Sequence, residues 1–487
     1  MQDFLEGIFK ANAGSQTDPI VARQRTALQL LDEGAQRIDA SLDDSPRAKL
    51  RVLRTLATIF DDMGETERTA DMLAKRVQVF ERLLPGERSE LAQARAELAM
   101  ALAVIGKDVP AHENLSQAEF ILSQLPSASD DAHVAVDMAF AQFHAARGDP
   151  RGLAAAKRLT QRLQGAPLSI DQSGARMLRG KLERFAGDPA QAVKTLEEGI
   201  DLAQKLPGGG ENTTFVLLSE LALALADAGQ PEAALQKMRD ALRVVEGNAG
   251  PSSPMAIIIL ARLGQLLTEQ GRSEDALQPL LGARRRIDSS PALAGITGVV
   301  APQRFYEGQA RRRLGQLDAA SRCYAEALAL TAAPEGSADA SIRAGAALSV
   351  TLAMQGKLAQ AMAALERAEA LQQRADIRGF AQQLMLAEAR SAILLRTGDL
   401  KGLDPLWRSL ESEPIFAARL GEPGAQVLRV LAILGEQGTD AAAAEAKGAL
   451  ERLLIGPPVP NRDYEAARLR SIANKQFLPT GLQQKRL

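Results

Sequence analysis

Apolar residues recur at three-and-four spacing along most of the chain, as in residues 218–228 and 233–245, and no segment sustains period-two alternation. Such spacing lines apolar side chains along one face of a helix, whereas a half-buried strand alternates. The pattern predicts an all-α chain. Breakers punctuate it: Pro85-Gly86, Pro207-Gly208-Gly209-Gly210, Gly250-Pro251, Pro334 and Pro423-Gly424. Each favours a turn over a continuing helix.

A glycine sets the rhythm. Gly64, Gly106, Gly148, Gly187, Gly229, Gly271, Gly315, Gly356, Gly398 and Gly438 stand 39 to 44 residues apart. A fixed period of this size means one small unit stacked many times. Seven residues before the glycine stand small residues such as Ala57, Gly180, Ala222, Gly264, Gly308 and Ser349. Five after it, seven of the ten positions are alanine, and nine after it come large residues such as Leu115, Leu196, Leu280, Tyr324 and Trp407. The glycine predicts a left-handed C-terminal cap ending the first helix of each unit. The small residues let the second helix approach, and the large ones fill the gaps.

These offsets resemble the tetratricopeptide repeat in a longer variant of about 42 residues, over residues 46–453. The match is most specific in the fifth to eighth units, with Ala222, Ala234 and Ala241, then Gly264, Ala276 and Ala283, Gly308, Ala320, Tyr324 and Ala327, and Ala361, Leu365 and Ala368. The resemblance implies a right-handed α-solenoid of about ten helix-turn-helix repeats. Leu153, Leu403 and Leu431 stand at small-residue positions of the third, ninth and tenth units. There the packing is expected to loosen or the boundaries to shift.

The same resemblance places the first helix of each unit on a concave groove, at positions two, three, six, ten and thirteen before the glycine. The candidate partner-binding residues are then Met138, Met177, Lys181, Arg184, Phe185, Leu223, Gln265, Phe305, Gln309, Arg312, Arg313 and Arg343. Methionine, phenylalanine and leucine suit a peptide or partner helix. The cations would pair with carboxylates, so the expected partner is a protein or peptide of acidic character. The family's Lys and Asn carboxylate clamp is not reproduced.

Composition narrows the function. A net charge of −2 over 487 residues argues against general nucleic-acid binding. Aromatics are only 3%, so alanine and leucine must build the core. The lone Cys323 forms no intramolecular disulfide and is expected to be a buried thiol. No apolar run approaches the roughly 20 residues that span a bilayer. Residues 1–15 lack the basic start and apolar core of a signal peptide. There is no phosphate loop, dinucleotide fingerprint, kinase signature or Cys-x-x-Cys. Of His112, His133 and His144, the last two stand eleven apart, about three turns, too far to share one metal without a third ligand and a bend, so no metal site is expected. No catalytic group or cofactor is predicted; the chain reads as a scaffold and not as an enzyme.

Three segments are expected: an N-terminal helical cap over 1–45, the solenoid over 46–455, and a Pro-containing segment with a short helix near 464–475 and a tail over 456–487. In the first, Thr17-Asp18-Pro19 opens a helix with Leu28, Leu31, Ala35 and Ile38 on one face. The string Phe4-Leu5-x-x-Ile8-Phe9, Thr26-Ala27-x-x-Leu30-Leu31-Asp32-x-Gly34-Ala35-x-Arg37-Ile38 and Leu53-x-x-Leu56-Ala57 is similar to a stretch of bacterial serine/threonine kinases. There it follows the kinase and membrane-spanning segments and leads into a tetratricopeptide region. That similarity implies a sensor or docking region, cytoplasmic if Met1 is the native start and periplasmic if the chain is excised from such a kinase. Two functions follow: an interaction scaffold, or a sensor whose solenoid binds an effector and changes curvature.

Overall fold

The computed structural model describes residues 45–125, 129–206, 211–332, 337–377 and 379–476, together with Leu28, Leu31, Asp32, Ala35, Gln36, Ile38 and Leu42. Gly208-Gly209-Gly210, Pro334, residues 1–27 and the tail from 477 lie outside them. The described residues hold 23 α-helices and no strand. They divide into two compact units, Met1–Phe143 and His144–Leu487.

The first unit contains α1 (Pro46–Asp62), α2 (Thr66–Leu83), α3 (Arg88–Val104), α4 (Asp108–Ser123) and most of α5 (Asp130–Ala146). Leu53, Leu56, Phe60, Leu73 and Phe80 form one core cluster, against which Leu28, Leu31, Ala35 and Ile38 pack. Ala99, Ala111, Leu115, Val136 and Phe143 form another.

The second unit continues with α6 (Leu153–Arg162), α7 (Ile170–Phe185), α8 (Pro189–Gln204), α9 (Glu211–Asp227), α10 (Pro231–Ala249), α11 (Pro254–Glu269) and α12 (Ser273–Asp288). Then come α13 (Pro291–Ala294), α14 (Thr297–Arg313), α15 (Leu317–Thr331), α16 (Ala338–Met354), α17 (Leu358–Ala375) and α18 (Phe380–Thr397). The last are α19 (Leu403–Glu411), α20 (Pro414–Ala417), α21 (Pro423–Gln437), α22 (Thr439–Ile455) and α23 (Arg462–Ala473).

The ten marker glycines all have positive φ, between 64° and 89°. After eight of them the next residue donates its N–H to the carbonyl five residues back, as Gln230 does to Leu225 at 2.8 Å and Lys357 to Leu352 at 2.9 Å. This Schellman cap satisfies carbonyls that the helix end leaves open.

The small and large offsets meet within a unit. A methyl added at Gly264 would lie 2.4 Å from Leu280 Cγ, and one at Gly180 would lie 2.6 Å from Leu196 Cγ. At Gly308 it would lie 2.9 Å from the Tyr324 ring. In the eighth unit Ser349 fills the same place, and its hydroxyl donates to the Ala361 carbonyl at 2.8 Å. The third and ninth units differ because a 3-10 turn, Pro150–Gly152 or Leu400–Gly402, precedes the second helix. The boundary thus shifts: buried Ala155 and Ala156 follow Leu153 in one unit. In the other Leu403 packs on the next unit, where a methyl on Gly435 would lie 3.2 Å from its Cβ.

The second unit winds until residues far apart in sequence meet. Arg151 donates to the Asp376 carboxylate at 3.1 Å, 225 residues away. Gln382 Nε2 donates to the Arg147 carbonyl at 3.1 Å, 235 residues away. Four consecutive marker glycines line this seam: Gly148 faces Gln382, Gly187 faces Arg419, Gly229 faces Pro457 and Gly271 faces Asp463.

Candidate binding site on the inner wall

Inside the winding of the second unit lies a cavity of about 320 Å³. Its wall draws on the ends of α7, α9, α11 and α14, on α16, α18 and α21, and on the segment that follows α22. Nine of the sequence-predicted residues line it: Arg184, Phe185, Leu223, Gln265, Phe305, Gln309, Arg312, Arg313 and Arg343. Three do not. Met138 belongs to the first unit. Met177, four residues before Lys181, is partly buried and packs against the apolar core cluster that includes residues of α9. Lys181 sits among Glu220, Arg262 and Arg184 behind the wall, and burial lowers its pKa.

The wall concentrates a scarce resource. Of 13 phenylalanines, three tyrosines and one tryptophan in the chain, Phe185, Phe305, Tyr306, Phe380 and Tyr464 line this one cavity. Arginines lie over their rings. Arg184 stands 4.7 Å from the Phe185 centroid, Arg343 5.3 Å from Phe305, and Arg419 4.1 Å from Phe380. Arg313 stands 4.6 Å from Tyr464. Such stacking orients a guanidinium while leaving its edge free for hydrogen bonds.

Carboxylates already meet several of these cations. Arg184 pairs with Asp227 at 3.1 Å, Arg343 with Asp339 at 3.0 Å and Arg419 with Glu422 at 2.8 Å. The arginine runs are tied down as well, with Arg284 and Arg311 on Glu307 and Arg286 on Glu246. The expectation that these cations wait for an acidic partner therefore fits Arg184 and Arg343 poorly. Arg312 and Arg313 differ. Arg312 donates to the Tyr464 hydroxyl at 2.9 Å. Arg313 donates to the Thr268 carbonyl at 3.0 Å and to the Asn461 side-chain oxygen.

Glu269 faces the same cavity, where burial pushes its carboxyl up to about 7 despite a hydrogen bond from Gln265. Nearby Asp227 adds to that rise. Behind the wall burial opposes the charge of Glu220, but Arg262, Lys181 and Arg184 outweigh it and hold its carboxyl at about 2. Four buried polar atoms of the wall have no hydrogen-bond partner: Arg184 Nε, Gln309 Oε1, Arg312 Nε and Arg313 Nε.

Sequence reasoning missed part of the wall. Met385 and Glu388 stand thirteen and ten residues before Gly398, so the same ruler extended to the ninth unit reaches them. Asn461, Tyr464 and Glu465 follow the last repeat, where no ruler applies. Elsewhere, Cys323 is buried and its thiol is pushed up to about 11 by burial. His144 Nδ1 lies 3.1 Å from Asp149, and the His112 ring packs against Phe140 and Phe143. No cluster of metal-ligating side chains occurs among the described residues. No helix among them is long and apolar enough to cross a membrane.

Residues 213–285 match the tetratricopeptide repeat. They cover the fifth and sixth units, which supply Leu223, Asp227, Gln265 and Glu269 to the wall. The chain is similar to the crystal structure of a Rap protein complexed with competence and sporulation factor. Identity there is 13%, over 81% of this chain and 98% of that one, with a TM-score of 0.48. It is also similar to the apo form of the quorum sensor NprR from B. thuringiensis, at 10% identity over 76% of this chain and 98% of that one, with a TM-score of 0.49. No curated protein matches the chain.

Proposed function

We propose that the chain is an interaction scaffold whose inner wall in the second unit binds an extended segment of a protein or peptide. The observation that carries this reading is the set of arginines and aromatic rings that line one cavity together, Arg312, Arg313 and Arg343 with Phe185, Phe305, Phe380 and Tyr464. A peptide backbone, with an acceptor at every residue, offers closely spaced partners to arginine N–H groups. Aromatic and arginine side chains are also the residues that dominate binding energy at protein interfaces.

Peptides selected from a random library against the full chain test this. They are expected to lose at least ten-fold in affinity when Arg312 and Arg313 are both changed to glutamine, with the helical circular dichroism signal retained. Equal affinity for the variant would remove the wall from the binding site.

The cavity volume supports a second reading, in which a small effector fills it and shifts the seam. About 320 Å³ is at the lower end of small-molecule pockets. Protection of the seam amides in hydrogen exchange by a small molecule, and not by peptides, would favour that sensor role. Whether such a sensor belongs to a kinase is read from the DNA upstream of Met1, where an in-frame kinase domain would decide it.

A further inference from the structure

The segment between α22 and α23 lies along the inner wall. Gly456 is extended, with φ −68° and ψ 171°, and Pro457, Pro458 and Pro460 follow around Val459. The prolines carry no N–H and favour an extended chain. The segment passes the turn at Gly229, where an added methyl would lie 3.1 Å from Pro457 Cβ. It then reaches Asn461, a non-glycine residue at φ 64°. Asn461 engages the wall twice: its N–H donates to the Glu269 carbonyl at 2.7 Å, and its side-chain oxygen accepts from Arg313. Three residues on, Tyr464 accepts from Arg312 at 2.9 Å and places its ring 4.6 Å from the Arg313 guanidinium.

This segment is held by polar contacts and stacking, not by a core. Pro457 and Pro458 are exposed and Val459 to Tyr464 are never fully buried, whereas Leu469 and Ile472 of α23 are buried among residues of α21 and α22. Its left-handed asparagine is a conformation that asparagine tolerates better than most residues, yet one that still costs energy. The contacts to Glu269, Arg312 and Arg313 supply what holds it.

We propose that residues 456–464 are an internal ligand of the inner wall, and that the wall accepts in their place a partner segment of the same chemistry. That chemistry is an extended proline-rich stretch followed by an amide side chain and, three residues on, a phenol. The proposal rests on the reading of the wall as a peptide-binding surface. It adds which segment fits and what holds the site closed. A tethered segment competes at an effective concentration on the order of millimolar, so the wall rejects weak partners and opens to those that match the amide and phenol contacts.

The test uses the full chain and a labelled synthetic peptide spanning residues 456–466. The peptide is expected to bind the Asn461→Ala/Tyr464→Ala variant at least ten-fold more tightly than the native chain. Adding Arg312→Gln and Arg313→Gln should abolish that binding. Equal affinity for the native chain and the double variant, or affinity indifferent to the two arginines, would overturn the proposal. If the double variant loses its helical signal, Tyr464→Phe replaces it. That change keeps the ring on Arg313 and removes only the hydroxyl bonded to Arg312, so a gain of two- to five-fold is expected and no gain overturns the proposal. Library peptides that bind the wall but are not displaced by the 456–466 peptide would leave the binding surface standing and remove the internal ligand. A library that yields no wall binder would remove both.

Discussion

The stack of helices and the inner wall of the second unit are built on opposite principles. Within a repeat, contact is between a missing side chain and a large one: Gly264 against Leu280, Gly180 against Leu196, Gly308 against Tyr324. The fit leaves no room for an added methyl. On the wall, arginines lie over rings, carboxylates sit at their edges, and polar atoms remain unpartnered. The first region gains stability from close packing. The second presents charged groups and rings to a cavity. A repeat protein can divide its residues this way because each first helix has one face toward its neighbours and another toward the groove.

Substitutions can break that comparison. The largest effect is expected in the stack: Leu280→Ala, opposite Gly264, should cost about 3 kcal/mol through lost burial and the cavity left behind. Chemical denaturation reads it, and a loss below about 1 kcal/mol would mean that the small–large pair does not organise the stack. Next comes the seam. Gly271→Ala suffers both a left-handed backbone and a methyl 3.0 Å from the Asp463 carboxylate, while Gly315→Ala suffers only the backbone. The first should cost about 2 kcal/mol and the second about 1 kcal/mol. Equal losses would show that the seam contributes nothing at this point.

On the wall, Arg313→Gln should cost only about 1 kcal/mol of stability, yet weaken any bound peptide by more than the same loss would imply for a stack residue. A stability loss as large as that of Leu280→Ala would make the wall structural. The smallest expected effect is a pH dependence. Glu269 has a raised pKa in the folded chain, so the folded state binds the extra proton between the ordinary value of 4.5 and about 7. Its contribution is then full below 4.5 and is lost as pH rises through 7. Melting temperature should fall over this range relative to Glu269→Gln, which has no proton to lose. Parallel curves for the two proteins would place Glu269 in water. Its neighbours Asp227, Arg184 and Arg313 remain in both proteins, so the difference between the two curves reads Glu269 together with its coupling to them.

Much of the stack was legible in the sequence because its causes are local. A Schellman cap demands a positive φ within one turn of the helix end, so each marker glycine announces itself. Gly264 and Leu280 are sixteen residues apart, close enough for one period to record both. The shifted third and ninth units were visible only as leucines out of place; the 3-10 turn that explains them has no such mark. Half of the wall was equally legible, since Arg184, Gln265, Gln309 and Arg312 occupy fixed offsets from their glycines. The other half was not. Tyr464 meets Arg312 across 152 residues, a pairing set by small rotations accumulated over several units. No period in the chain records that sum.

Closure of the seam also bears on how such a chain can change over time. An open stack can gain or lose a unit anywhere, because each unit needs only its neighbours. Here Arg151 must find Asp376 and Arg147 must find Gln382, so the tally of units between them is not free. Duplicating one would carry the later residues past their counterparts, and deleting one would leave them short. The second unit is therefore a repeat array that counts, and its copy number is as much a part of its chemistry as any side chain.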